Sequence, residues 1–110
     1  MSFPVSWTEG VAVVTGPPEI DITNAGLLRA ALLSAAKTAP AVLVVDLTDT
    51  EFCDSTGLNT LVRAQLEAEQ AGTELRLVVR AAAVHRMLAI TGVAALFRTF
   101  DRLADAVRPA

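Results

Sequence analysis

The chain has 110 residues, 53% of them apolar, and a formal net charge of −3. That is enough chain for one core without staples and too apolar for a disordered segment. Its arginines, from Arg29 to Arg108, form no basic cluster and its aromatic rings are few, which speaks against a nucleic-acid surface. No apolar run approaches the ~20 residues of a membrane span. Met1-Ser2-Phe3-Pro4 lacks the basic-then-apolar start of a signal peptide. One cysteine, Cys53, cannot form an internal disulfide, and with His85 alone beside it the ligands of a structural zinc site are not there. We expect a single cytoplasmic domain over residues 1–110, with no metal and no cofactor.

Val5-Ser6-Trp7 alternates as an edge strand does, and Glu9-Gly10 turns it into a second strand, Val11 to Val14. Gly16-Pro17-Pro18 stops that strand, because proline cannot donate to a ladder. Glu19-Ile20-Asp21-Ile22 reads as a short connector. Thr23 or Asn24 then caps a helix running to about Lys37, with Leu28, Ala31, Leu32 and Ala35 as its stripe. Residues 41 to 47, Ala-Val-Leu-Val-Val-Asp-Leu, are apolar almost throughout, the pattern of a central strand covered on both faces.

The second strong helix is predicted from Gly57 to about Ala71. Leu58, Leu61, Val62 and Leu66 form its buried stripe, Arg63 with Glu67 an exposed ion pair, and Gly72 its left-handed cap. Leu75, Leu77 and Val79 share one face of a further strand. A helix with Val84, Met87 and Leu88 inside ends at Gly92. Phe97 to Phe100 makes a last short strand, and Asp101 caps a final helix carrying Leu103, Ala106 and Val107. The alternation predicts an α/β fold: a small mixed sheet of four or five strands with about four helices packed around it.

One stretch carries chemistry. "EFCDSTGLNTL", residues 51 to 61, ends apolar sequence in Asp54-Ser55-Thr56-Gly57 and reopens as a helix. The plain reading is a helix cap from Asp54, Ser55 or Thr56. The functional reading is a serine presented for phosphorylation at a helix start, where the backbone tolerates an anion. A catalytic serine would need a base within reach. His85, the lone histidine, is expected on the wet side of a later helix, and the Gly-x-Ser-x-Gly elbow is absent. Cys53 reads as a small buried apolar residue rather than a redox thiol.

These residues resemble a known family. Asp54-Ser55-Thr56-Gly57-Leu58, following a strand that ends near Asp46-Leu47, is similar to the phosphoacceptor motif of anti-sigma factor antagonists, the single-domain form of the STAS fold. Glu19-Ile20-Asp21 resembles the family's Gly-Glu-Leu/Ile-Asp segment, and Val84 to Phe97 its third helix and return strand. The resemblance implies a STAS-type domain that is not an enzyme but the substrate of one. In the family, the unphosphorylated antagonist binds an anti-sigma factor with serine kinase activity and so frees a sigma factor. Phosphorylation breaks the complex, and a PP2C-type phosphatase reverses it. Carried over, Ser55 is the phosphoacceptor, with Glu19, Asp21, Asp54, Thr56, Gly57 and Asn59 on the partner-binding surface, and no direct contact with nucleic acid or membrane. Pro18 and Asn59 depart from the glycines usual there. The alternative is a scaffold or ligand-binding STAS domain in a signalling complex, whose loop is not phosphorylated.

Overall fold

The computed structural model describes residues 3–109. Strands β1 (Val5–Thr8) and β2 (Val11–Thr15) form an antiparallel hairpin. Its loop is Glu9-Gly10, with φ of 42° and 82°. Two positive φ values give the turn whose twist matches the paired strands, and glycine takes that geometry without strain. There follow β3 (Glu19–Ile20), α1 (Ala25–Ala36), β4 (Val42–Leu47), β5 (Phe52–Cys53), α2 (Ser55–Ala71), β6 (Glu74–Val79) and α3 (Ala82–Ile90). A 3-10 turn (Ala94–Leu96), β7 (Arg98–Phe100) and α4 (Leu103–Ala106) complete the order.

The main sheet runs β1-β2-β4-β6-β7, antiparallel between β1 and β2 and parallel elsewhere. The central strand is β4, and every residue of it is buried, as its unbroken apolar run requires. Ala12, Val14, Leu43, Val45, Leu47, Leu75, Leu77 and Val79 belong to a large core with α1, α2 and α3. Alternate residues Val11, Val13, Val42, Val44 and Val78 form a smaller core closed by Ala106 of α4, with Phe100 and Val107 at its margin.

Arg76 lies in the same alternation as Val78 and is only 3% exposed. Its Nε donates to Glu74 Oε2 at 2.6 Å and its Nη1 to the carbonyls of Ala106 and Arg108 at 2.9 and 2.5 Å. The Phe100 ring centroid lies 5.5 Å from the guanidinium carbon. The buried charge is thereby paired and hydrogen-bonded, the condition on which a protein tolerates one.

Several expectations change in detail. Glu19-Ile20 is not a connector but a strand, pairing in parallel with Phe52-Cys53. Helix α2 starts at Ser55, two positions before Gly57. Leu66 is exposed, and Ala64 and Ala68 take the inner positions. Glu67 pairs with Arg29 of α1 at 3.4 Å instead of with Arg63, so the bond joins two helices rather than two turns of one. Arg102, not Asp101, stands at the cap of α4 and makes no capping bond, and Leu103 points to solvent. Asn24 does occupy the cap position of α1, but its side chain makes no capping bond; its carbonyl accepts from the Leu27 and Leu28 amides.

Candidate functional site

The small β3–β5 sheet brings two distant segments together. Glu19 pairs with Phe52 and Ile20 with Cys53, and the Asp54 amide donates to the Ile20 carbonyl at 3.0 Å. The start of α1 and the start of α2 thus emerge side by side, beyond the C-terminal ends of β2 and β4, to which the two connecting segments belong. Ligands and partners commonly meet open α/β sheets at that edge.

Asp54 organises the junction. It is the N-cap of α2 in extended conformation, and Oδ1 accepts from the Gly57 amide at 2.9 Å. Oδ2 accepts from the Ile22 amide at 3.1 Å, across 32 residues of sequence. One carboxylate therefore caps a helix and fixes the loop before another. The sequence left three capping candidates open, and the structure selects Asp54.

Asp21 and Asn24 hold the other side. The Asp21 carboxylate accepts from the Thr23 amide at 2.9 Å and from the Thr23 hydroxyl at 2.5 Å. Those bonds, the hydroxyl's foremost, lower the Asp21 pKa below its ordinary value. Asn24 is buried, accepts from the Asp21 amide and donates to the Glu19 carbonyl. Gly57 fills the gap between the two segments. A Cβ there would stand 2.7 Å from Ile20 Cγ2 and 2.8 Å from Cys53 Sγ, so the position is too close for any side chain.

Ser55 is the first residue of α2 and is exposed. Its hydroxyl has no hydrogen-bond partner among the described residues. A helix start leaves its first amides without partners inside the helix. Asp54 takes one of them, Gly57, through its side chain, while the Leu58 amide makes the first helical bond to the Asp54 carbonyl. The amides of Ser55 and Thr56 remain for water or an incoming anion. Thr56 is half-buried, and Asn59 and Glu19 are exposed.

The structure thus gathers Glu19, Asp21, Asp54, Ser55, Thr56 and Gly57 around one junction, with Asn59 on the next turn of α2. It adds two residues that the sequence reading passed over: Ile22, 74% exposed, and Phe52, 51% exposed. Both look like core residues by type; Phe52 is turned outward in β5, and Ile22 lies in the loop after β3 that Asp54 holds. Cys53 is buried beside them. Burial, and then the Asp54 charge, push its thiol pKa up to about 12, so it is no ready nucleophile. His85 is exposed, and its Nε2 lies 3.0 Å from the Val79 carbonyl. Among the described residues no cluster of His, Cys, Asp and Glu could hold a metal ion, and no helix is long and apolar enough to cross a membrane.

Residues 3–106 match the STAS domain family. The chain is similar to anti-sigma-F factor antagonist RsfB of Mycobacterium tuberculosis, 33% identical over 98 residues, which are 89% of this chain and 80% of that protein. It is also similar to the crystal structure of an anti-sigma factor antagonist from Mycobacterium paratuberculosis. There the TM-score is 0.87 at 30% identity, over 96% of this chain and 90% of the other. The fold itself is shared more widely. A murine Solute Carrier 26 family anion transporter superposes with a TM-score of 0.76 at 22% identity, over 93% of this chain but 18% of the transporter. With residues 3–106 matched and both antagonists covered over most of their length, the chain belongs to the STAS domain family and groups there with the anti-sigma factor antagonists.

Proposed function

We propose that this protein is an anti-sigma factor antagonist switched by phosphorylation of Ser55. The observation that carries the reading is the exposed Ser55 hydroxyl at the first position of α2, held in a frame that Asp54 ties at Gly57 and Ile22. In the unphosphorylated form the protein binds an anti-sigma factor that is also a serine kinase, and so releases a sigma factor. The protein catalyses nothing itself.

The docking surface combines the exposed apolar groups of Ile22 and Phe52 with the acidic rim of Glu19, Asp21 and Asp54. A partner with apolar pockets inside a basic rim fits it. Phosphate on Ser55 adds about −1.5 to −2 charges beside Asp54. The fold bears this at a helix start with two amides to spare. The partner interface, closed over the same point, does not. At ~1.4 kcal/mol per tenfold change in affinity, the loss of a few contacts suffices to separate the pair. A PP2C-type phosphatase then restores the binding form. Thr56, being half-buried, is the poorer acceptor.

The test is incubation with ATP and the anti-sigma kinases of the same cell, with mass spectrometry of residues 51 to 63. One phosphate on Ser55, with binding to that kinase lost, is the expected result. Ser55→Ala keeps binding, and Ser55→Asp weakens it. Stable binding with no phosphate under any kinase would instead support a scaffold that the loop does not regulate.

A further inference from the structure

A cleft of about 450 Å³ opens between the C-terminal halves of α1 and α2. Helix geometry puts it about 18 Å along α2 from Ser55, counting from that residue to Glu67. Its floor includes the buried Leu32 and Leu43. Its walls are alanines, among them Ala36, Ala64 and Ala68, where longer side chains would close the space. The inward turn of Ala64 and Ala68, with Leu66 pointing outward, is what leaves the room. Water gains little on such a lining, because it finds few polar partners there. A molecule with an apolar body regains the dispersion contacts that the open side lacks.

The rim supplies the head group's chemistry. Arg29 and Glu67 line the cleft and face each other at 3.4 Å, a long contact for charge-assisted partners. Their side chains are 38% and 52% exposed, so Arg29 as a whole is the more covered of the two. Held only at 3.4 Å by Glu67, the cation at this rim has donors left for a second partner, and its planar fork fits a carboxylate.

We propose that this cleft binds a small amphiphilic carboxylate, with its apolar body between α1 and α2 and its head group on Arg29. The test is an NMR titration of the full chain with octanoate, octanol and octylamine. Octanoate is expected to give saturable shifts at Leu33, Ala36, Ala64 and Ala68 and to bind tightest of the three. Arg29→Ala weakens octanoate about tenfold and leaves octanol unchanged. Glu67→Gln, which frees Arg29, leaves octanoate binding equal or tighter. Ala68→Leu fills the cleft and abolishes the shifts. Leu33→Glu at the exposed mouth does the same if Ala68→Leu fails to fold. The proposal is overturned by the absence of shifts at millimolar octanoate or by equal affinity for all three probes. It is equally overturned by Glu67→Gln weakening binding as much as Arg29→Ala, or by the same residues shifting with protein concentration alone, which marks a contact between two copies.

Discussion

Arg76 and Asp54 do the same kind of work at different depths in the fold. Each is a charged side chain that joins segments far apart in sequence. Arg76 ties β6 to the carbonyls of Ala106 and Arg108, 30 and 32 residues away, and is almost wholly buried. Asp54 ties α2 to the loop before α1 and is only half-buried. Arg76 spends its Nε and Nη1 donors inward, on Glu74 and two carbonyls. Asp54 spends its acceptors on the frame and leaves the neighbouring hydroxyl free. The first is a lock that closes the smaller core. The second is a mount that holds the start of α2 against the loop before α1 and leaves the Ser55 hydroxyl in solvent. Rigidity around an exposed serine suits the proposed switch, in which a partner must read the presence of one phosphate.

Changing the lock should have the largest effect. Arg76→Ala leaves Glu74 with Arg98 alone, strands the Ala106 and Arg108 carbonyls and opens a void beside Phe100. A loss of about 3 kcal/mol in urea unfolding is expected. Partner binding by the fraction still folded should be unchanged, since the second core lies away from the Ser55 junction. Next comes Gly57→Ala. The new methyl stands inside contact distance of Ile20 and Cys53, so the β3–β5 sheet must shift, at about 1–3 kcal/mol. Unlike Arg76→Ala, it should weaken partner binding in the folded protein, because the strain falls on the docking surface. If binding survives Gly57→Ala untouched, the junction is not the interface.

The comparison also shows where sequence is informative. β4 was legible because an apolar run of that length permits little else, and the cap at Gly72 follows from helix periodicity and a left-handed glycine. The exposed position of Ser55 at a helix start was legible through the Asp-Ser-Thr-Gly sequence. β3 and β5 were not, since strands of two residues carry no period, and with them went the outward turn of Phe52 and Ile22. Leu66 misled because hydrophobicity favours leucine inside, whereas the approach of α1 to α2 favours alanine. The Arg29–Glu67 contact has no trace in either helix alone. Arg76 sits in a strand whose neighbours are apolar, and only the return of α4 explains its burial.

Changing the mount should cost less than changing the lock. Asp54→Ala removes a cap and the bond to Ile22, about 1–2 kcal/mol, and should loosen hydrogen exchange at Ile22 and Gly57 but leave Ala106 unaffected. Cys53 reports the same frame chemically. With its pKa near 12, it should resist alkylation at pH 8 in the native protein and react freely once unfolded. Asp54→Asn, which removes the neighbouring charge but keeps the shape, should change that rate only modestly, because burial is the larger cause.

The smallest effect is on the acid limb of stability, and it separates the two regions again. Arg76, first, and Arg98 hold the Glu74 pKa below its ordinary 4.5, and the Thr23 bonds hold Asp21 below 3.8. Both carboxylates are therefore depressed in the folded state. Each contributes stability that is fully present above its unfolded pKa and is lost as pH falls through the folded one. Stability should be flat above about pH 5 and should decline below it, from the Glu74 side first, because its unfolded pKa is the higher. Glu74→Gln should flatten the upper part of that decline and Thr23→Ala the lower part. Urea midpoints from pH 5 to pH 2.5 read both. A decline that Glu74→Gln leaves unaltered would mean that Arg76 is held by its two carbonyls, with the carboxylate contributing little.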